Sequence, residues 1–288
     1  MHQLSESEFD KISPTALLVA YARAFTDIPY TKELSDLVNS QSVVESLLGQ
    51  NLEQGAEIAV LIESRYRSID KTIANFNSKQ IIEIASGLLP RGMIMSKNSE
   101  ITFIETDLPL MINQKLDLVK TLVSDRPNLH FMPVDIAAKP NQLNDCRQYL
   151  DPYKPIVVLS EGLLMYLTHL QKQQVFTNIR ELLQEYGGVW ITSDFVTVAA
   201  IKRRKLICPA LEQISQMVSR LSDRPIGDTY FKDAEEIEEF ITNQGFKCDR
   251  TPVLSLINEL VCLKPLNINP KIAEAILADA YVYSLSVL

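Results

Sequence analysis

Short β-favouring apolar runs recur through the middle of the chain, at Ile81–Ala85, Ile101–Thr106, Leu129–Val134, Ile156–Ser160 and Val189–Asp194. Between them lie longer stretches, such as Leu108–Val123 and His169–Tyr186, with apolar residues at helical spacing. Strands alternating with helices predict right-handed βαβ units, and hence a mostly parallel sheet covered on both faces. The fourth and fifth runs are almost continuously apolar, as the buried centre of such a sheet requires.

Before Ile81 the pattern is helical. Ser13-Pro14 reads as a cap with proline at the first helical position, followed by Leu18, Tyr21 and Phe25 on one face and a stop at Pro29. A second helix from about Glu53 places Ile58, Leu61, Ile62, Tyr66, Ile69 and Ile73 together. Residues 1–75 are therefore expected to form a helical cap on a core spanning 76–194. After the fifth strand the pattern changes. The basic run Lys202-Arg203-Arg204-Lys205 precedes Pro209 and an amphipathic stretch with Leu211, Ile214, Met217, Val218 and Leu221 inward. Residues 195–230 are expected to form a helical lid insertion over the carboxyl edge of the sheet, where ligands bind in open α/β folds. Residues 231–288 complete the sheet: Asp233 caps a helix Ala234–Asn243 closed at Gly245, and strands are expected near Phe246–Val253, around Leu260–Leu263 and over Ala280–Val287. The 288 residues thus read as one domain with appendages.

The stretch QIIEIASGLLPRG, Gln80–Gly92, carries the first chemical signal. A strand runs into the small-residue turn Ala85-Ser86-Gly87, and about twenty residues later a second strand ends in Glu105-Thr106-Asp107. Small residues let backbone approach a ligand, and the later carboxylate accepts hydrogen bonds from ribose hydroxyls. With only Gly87 and Gly92 in place of a full GxGxxG, a pyrophosphate cradle is poorly supported, and a cofactor without phosphates, S-adenosylmethionine, fits better. Acidic residues recur at successive strands: Glu83 in the first, Glu105 and Asp107 ending the second, Asp135 the third, Glu161 after the fourth. Carboxyl ends of parallel strands share one edge, so these groups are expected to line one crevice.

Composition narrows the class. Apolar residues make up 46% and charged residues 22%, an ordinary folded globular balance, and a net charge of -8 argues against nucleic acid as a partner. The N-terminus MHQLSESEFDK lacks the apolar core of a signal peptide, and no run is long enough to span a bilayer, so a cytoplasmic protein is expected. Cys146, Cys208, Cys248 and Cys262 show no CxxC spacing, and His2, His130 and His169 form no ligand pattern. No metal is expected.

ASGLLPRG, FIETDLPLMINQKLDLV, FMPVDI and LSEGLLMYLT, in that order, together resemble the leucine carboxyl methyltransferase family, and more closely its bacterial branch of small-molecule, polyketide-type O-methyltransferases. The upstream SRYRSID is similar to that family's Arg-x-x-x-Asp segment, and the resemblance covers roughly residues 13 to 195. It implies a class I S-adenosylmethionine-dependent methyltransferase fold, Rossmann-like, with a seven-stranded mostly parallel sheet. It also implies roles: Arg67 pairing with the methionyl carboxylate, Ala85, Ser86 and Gly87 forming the cofactor turn, and Asp107 or Glu105 holding the ribose, with Glu83 among the crevice acids. Asp135 and Ile136 border the adenine, Glu161 lies near the methionyl amine, and Tyr166 near the reacting centre. Relatives often read GAGxDTR after the first strand; here Ala85 replaces the first glycine and Leu89 stands where an aspartate is common.

The expected activity is O-methylation of a small metabolite, at a carboxylate or a hydroxyl. A carboxylate acceptor needs no base, whereas a hydroxyl needs one within hydrogen-bond reach, for which His169 and Asp194 are the candidates. The Lys202–Lys205 run would attract an acidic acceptor or is simply solvated. The alternatives are a protein C-terminal carboxyl methyltransferase and a cofactor-binding scaffold without turnover.

Overall fold

The computed structural model describes residues 14–48, 58–138, 140–209, 211–212, 216 and 230–288. Helices α1 (Pro14–Arg23), α2 (Thr31–Leu37), α3 (Ser40–Leu48) and α4 (Ile58–Ile73) precede the first strand, so the helical cap is present as expected. Proline opens α1, and the turn after Pro29 places Tyr30 at a left-handed φ of 68°. From there strands and helices alternate: β1 (Gln80–Ile84), α5 (Arg91–Met95), β2 (Thr102–Asp107), α6 (Pro109–Leu122), β3 (Leu129–Pro133), β4 (Ile156–Ser160), α7 (His169–Tyr186) and β5 (Gly188–Thr192). The chain continues through α8 (Val198–Ile207), α9 (Ala234–Asn243), β6 (Phe246–Pro252), α10 (Pro270–Leu277) and β7 (Tyr281–Val287).

One sheet of seven strands results, in the order β3-β2-β1-β4-β5-β7-β6. β1 to β5 are parallel, while β7 runs antiparallel to both β5 and β6. Alternation along each strand sends its side chains to opposite faces. On one face Ile82, Ile104, Val158 and Trp190 join Val175, Phe176, Ile179 and Leu182 of α7. On the other, Ile81, Phe103, Val157 and Ile191 meet Ile69 and Ile73 of α4. Phe176 stands edge-on to Trp190 with centroids 4.7 Å apart, and α7 starts with a capping box between Thr168 and Gln171. β1 has β2 on one side and β4 on the other, so successive crossovers leave it in opposite directions. A crevice therefore opens beyond the carboxyl ends of β1 and β4.

Two expectations are corrected. Leu260–Leu263 is a turn, because the Glu63 carboxylate accepts the N–H groups of Val261 (2.9 Å) and Cys262 (2.8 Å) in place of a neighbouring strand. The basic run does not act as one patch. Arg203 and Arg204 turn to Asp279, Arg204 also donates to the carbonyl of Ile276 at 3.1 Å, and Lys205 reaches Glu212 at 2.7 Å. Of the amphipathic stretch, Ile214, Met217, Val218 and Leu221 lie outside the described residues, as does Glu53. Helix α10 is an element the periodicity does not suggest, although Asn269-Pro270 caps it in the usual way.

Candidate active site

The crevice is built on the turn after β1. Ser86 N donates to Thr106 O at 2.9 Å, and Gly87 N donates to Asp107 Oδ2 at 2.7 Å. The other oxygen of Asp107 accepts Leu108 N at 2.8 Å, so this one carboxylate joins the ends of β1 and β2. Burial pushes the Asp107 carboxyl upward, against the pull of those two N–H groups. Ala85 sits at φ 51° and Gly87 at φ 45°. The left-handed region costs a residue with a side chain about 1–2 kcal/mol, so Ala85 holds strain at the turn. A Cβ added at Gly87 would meet no atom within 4 Å, which leaves open space over the turn. Gly92 has another purpose: a side chain there would strike the Glu105 carboxylate.

Two acids expected to line the crevice lie beneath it. Glu83 and Glu105 are register partners on β1 and β2, and both are fully buried. Glu83 pairs with Arg91, and Glu105 with Lys115 of α6, which also donates to Ser86 O at 3.4 Å. Burial raises the Glu105 carboxyl to about 7, with Lys115 pulling the other way. These pairs lie under the turn, each carboxylate taken up by a buried cation, and of the three acids only Asp107 reaches the turn's backbone.

Glu161 follows β4 and stands between two arginines. Arg23 of α1 and Arg91 each reach it at 3.2 Å, and Arg91 also bonds Asp70 at 2.7 Å. The loop after Glu161 is shaped by Asp194, which accepts Gly162 N (2.6 Å), Leu163 N (2.8 Å) and Leu164 N (3.2 Å). Both of its oxygens thus accept N–H groups of the loop that joins Glu161 to Tyr166. Tyr166 closes the turn Leu164–Tyr166, half-buried, and burial raises its phenol above the ordinary range. His169 is exposed, its ring edge-on to Phe231 and Phe240 at 6.0 and 6.2 Å. Asp135 is exposed at the end of β3, accepting Ala137 N at 3.1 Å. Ile136 is buried beside it, its carbonyl receiving Asn178 Nδ2 at 2.8 Å.

Arg67 is engaged by two acids. It pairs with Glu63 at 2.6 Å and with Asp27. Arg65, two residues earlier, lies about 200° away around α4. Its Nε is buried without a hydrogen-bond partner, and its charge acts on Arg23, Tyr166 and Arg204. Arg23, Arg65 and Arg91 are cations that the sequence pattern does not single out. Arg65 and Arg91 do lie in quoted motifs, SRYRSID and ASGLLPRG, whereas Arg23 lies in none. Among the described residues no group of three acids, cysteines or histidines is placed to hold a metal.

A seven-stranded sheet of this order, with a carboxylate gripping the first turn, defines an α/β protein with its topological switch between β1 and β4. The profile described as leucine carboxyl methyltransferase matches residues 20–180, and the chain belongs to that family. A protein of Mycolicibacterium paratuberculosis, named as a candidate S-adenosyl-L-methionine-dependent methyltransferase, is 24% identical over 196 residues, covering 65% of this chain and 61% of that one. A likewise named protein of Mycobacterium sp. strain JLS is 28% identical over 187 residues, 59% and 62% of the two chains. The chain thus spans less than two thirds of the length of these relatives. In fold it is similar to a DUF574 family protein of Streptomyces avermitilis, with a TM-score of 0.58, 15% identity, and 95% and 96% of the chains covered.

Proposed function

We propose that the protein is an S-adenosylmethionine-dependent O-methyltransferase acting on a small metabolite. The observation that carries this reading is the Asp107–Gly87 bond beside open space over the turn, which offers ribose hydroxyls a carboxylate next to close backbone, without a phosphate cradle. Family membership and the names of the mycobacterial relatives support it. The donor set fits the cofactor: Asp107 for the ribose, Asp135 and Ile136 beside the adenine, Glu161 for the methionyl amine. The partnerless Nε of Arg65 suits the methionyl carboxylate better than the committed Arg67.

When bound, the cofactor supplies an electrophilic methyl group, whose transfer to oxygen breaks an S–C bond and forms an O–C bond. The protein's own part is to position the acceptor. Arg23 and Arg91 fix the Glu161 carboxylate, and Asp194 holds the loop that presents Tyr166. With Asp194 committed to backbone and the Tyr166 phenol shifted upward, this arrangement suits an acceptor oxygen that is already ionised, such as a carboxylate. Calorimetric titration with S-adenosylmethionine, S-adenosylhomocysteine and NADH tests the assignment. Micromolar binding of the two adenosyl compounds, lost in Asp107→Ala, is expected; binding of NADH alone overturns it.

A further inference from the structure

A solvent-open depression of about 420 Å³ lies between the start of α8 and the start of α9. Val198, Ala199, Lys202, Tyr230, Lys232 and Glu236 line it. Its walls are tied together by backbone bonds: Val198 N to Phe231 O at 2.8 Å and Phe231 N to Val196 O at 3.1 Å. One of its lining residues, Tyr230, packs against the Leu18–Val44 cluster, as Tyr166 does. The volume of the depression falls within the range of small-molecule pockets, and its mouth is open to solvent.

The charges around it are unequal in their commitments. The Glu236 carboxylate accepts the backbone N–H of Lys232, and Asp233 accepts Glu236 N at 2.9 Å, so both acids serve the first turn of α9. Lys232 lies 3.4 Å from Asp233. Lys172 lies beneath, its ammonium 4.8 Å from the Phe231 ring centre. Lys202 is exposed on the lining and makes no ion pair among the described residues, whereas the next three residues of the basic run all do. Lys202 therefore remains available to a ligand, on a lining it shares with Val198, Ala199, Tyr230, Lys232 and Glu236.

We propose that this depression receives the acceptor, and that the acceptor carries an anionic group, besides the oxygen that is methylated, which meets Lys202. The substrate class is then a small organic acid with an apolar or aromatic body. The inference rests on the methyltransferase reading. It separates Lys202 from the rest of the basic run and makes it a specificity residue.

The test is calorimetric titration of the full chain, with and without S-adenosylhomocysteine, using matched acids and amides: 4-hydroxybenzoate against 4-hydroxybenzamide, and succinate against succinamide. The acids are expected to bind up to about fivefold more tightly than the amides, the scale of one exposed ion pair. Lys202→Gln removes that preference. Lys205→Gln, whose ammonium sits on Glu212, keeps it. Equal binding of acid and amide, binding of neither, or a preference that survives Lys202→Gln overturns the proposal. Absence of S-adenosylhomocysteine binding sinks the methyltransferase reading instead, and is read in a separate titration.

Discussion

Asp107 reaches across from the end of β2 to accept the Gly87 N–H at 2.7 Å, and with its second oxygen accepts its neighbour Leu108 at 2.8 Å. A side chain from the second strand thus sets the backbone of the first turn. Removing it leaves two N–H groups seeking partners, each charge-assisted bond worth about 1.5–3 kcal/mol. Asp107→Asn keeps one acceptor oxygen, so its stability in urea is expected to fall between wild type and Asp107→Ala. Equal stability of all three proteins would show that the turn is held by other contacts.

Ala85 occupies a left-handed φ of 51°, where glycine is at ease. Ala85→Gly relieves about 1–2 kcal/mol of strain while adding freedom to the unfolded chain. The net expectation is a change from zero to about 1 kcal/mol of stabilisation, read from chemical denaturation. A clear loss of stability would mean that the alanine methyl is making a packing contribution larger than the strain.

Arg65 and Arg67 should separate binding from stability. Arg65→Ala is expected to weaken S-adenosylhomocysteine binding by about tenfold or more, the worth of a charged hydrogen bond, with little change in unfolding. Arg67→Ala should do the reverse, because it takes a partner from the buried Glu63. Weaker binding in Arg67→Ala alone restores the role that the family resemblance implies for it.

Arg91 is fully buried and bonds Glu83, Asp70 and Glu161. Replacing it with methionine leaves Glu83 as an uncompensated buried charge, at a cost of about 3–5 kcal/mol. Thermal unfolding at neutral pH checks this; a loss below about 1 kcal/mol, the range of a surface pair, contradicts it.

Glu105 gives the protein a pH dependence of definite sign. Its carboxyl is raised from 4.5 to about 7 in the folded state, so between these values the native protein holds more protons than the unfolded chain. Its contribution to stability is full below 4.5 and is lost as pH rises through about 7. The double variant Glu105→Gln, Lys115→Met, which removes both charges of the pair, should lack this component of the slope. Parallel stability curves for the two proteins over that window would refute it.

Local order is legible in the sequence. The five parallel strands, the helices α6, α7 and α9, and the helical cap follow from apolar spacing and from caps such as Asp233 and Thr168. The seven-stranded α/β fold and the family are equally readable, because their motifs are contiguous runs at strand ends. Leu260–Leu263 reads as a strand but folds as a turn, because the group that satisfies its N–H bonds, Glu63, lies 198 residues away from Val261.

The side chains' duties are settled only by folding. Glu83, Glu105 and Asp107 look alike along the chain, yet two are buried against Arg91 and Lys115 and one faces the turn. Arg65 and Arg67 share a segment, but helical geometry sends them apart, and Asp27 and Glu63 claim only the second. Arg23 meets Glu161 across 138 residues, a pairing invisible to any local pattern. Spacing in the chain specifies which residues share a strand or a helix face; which charge finds which partner depends on the packing of distant elements.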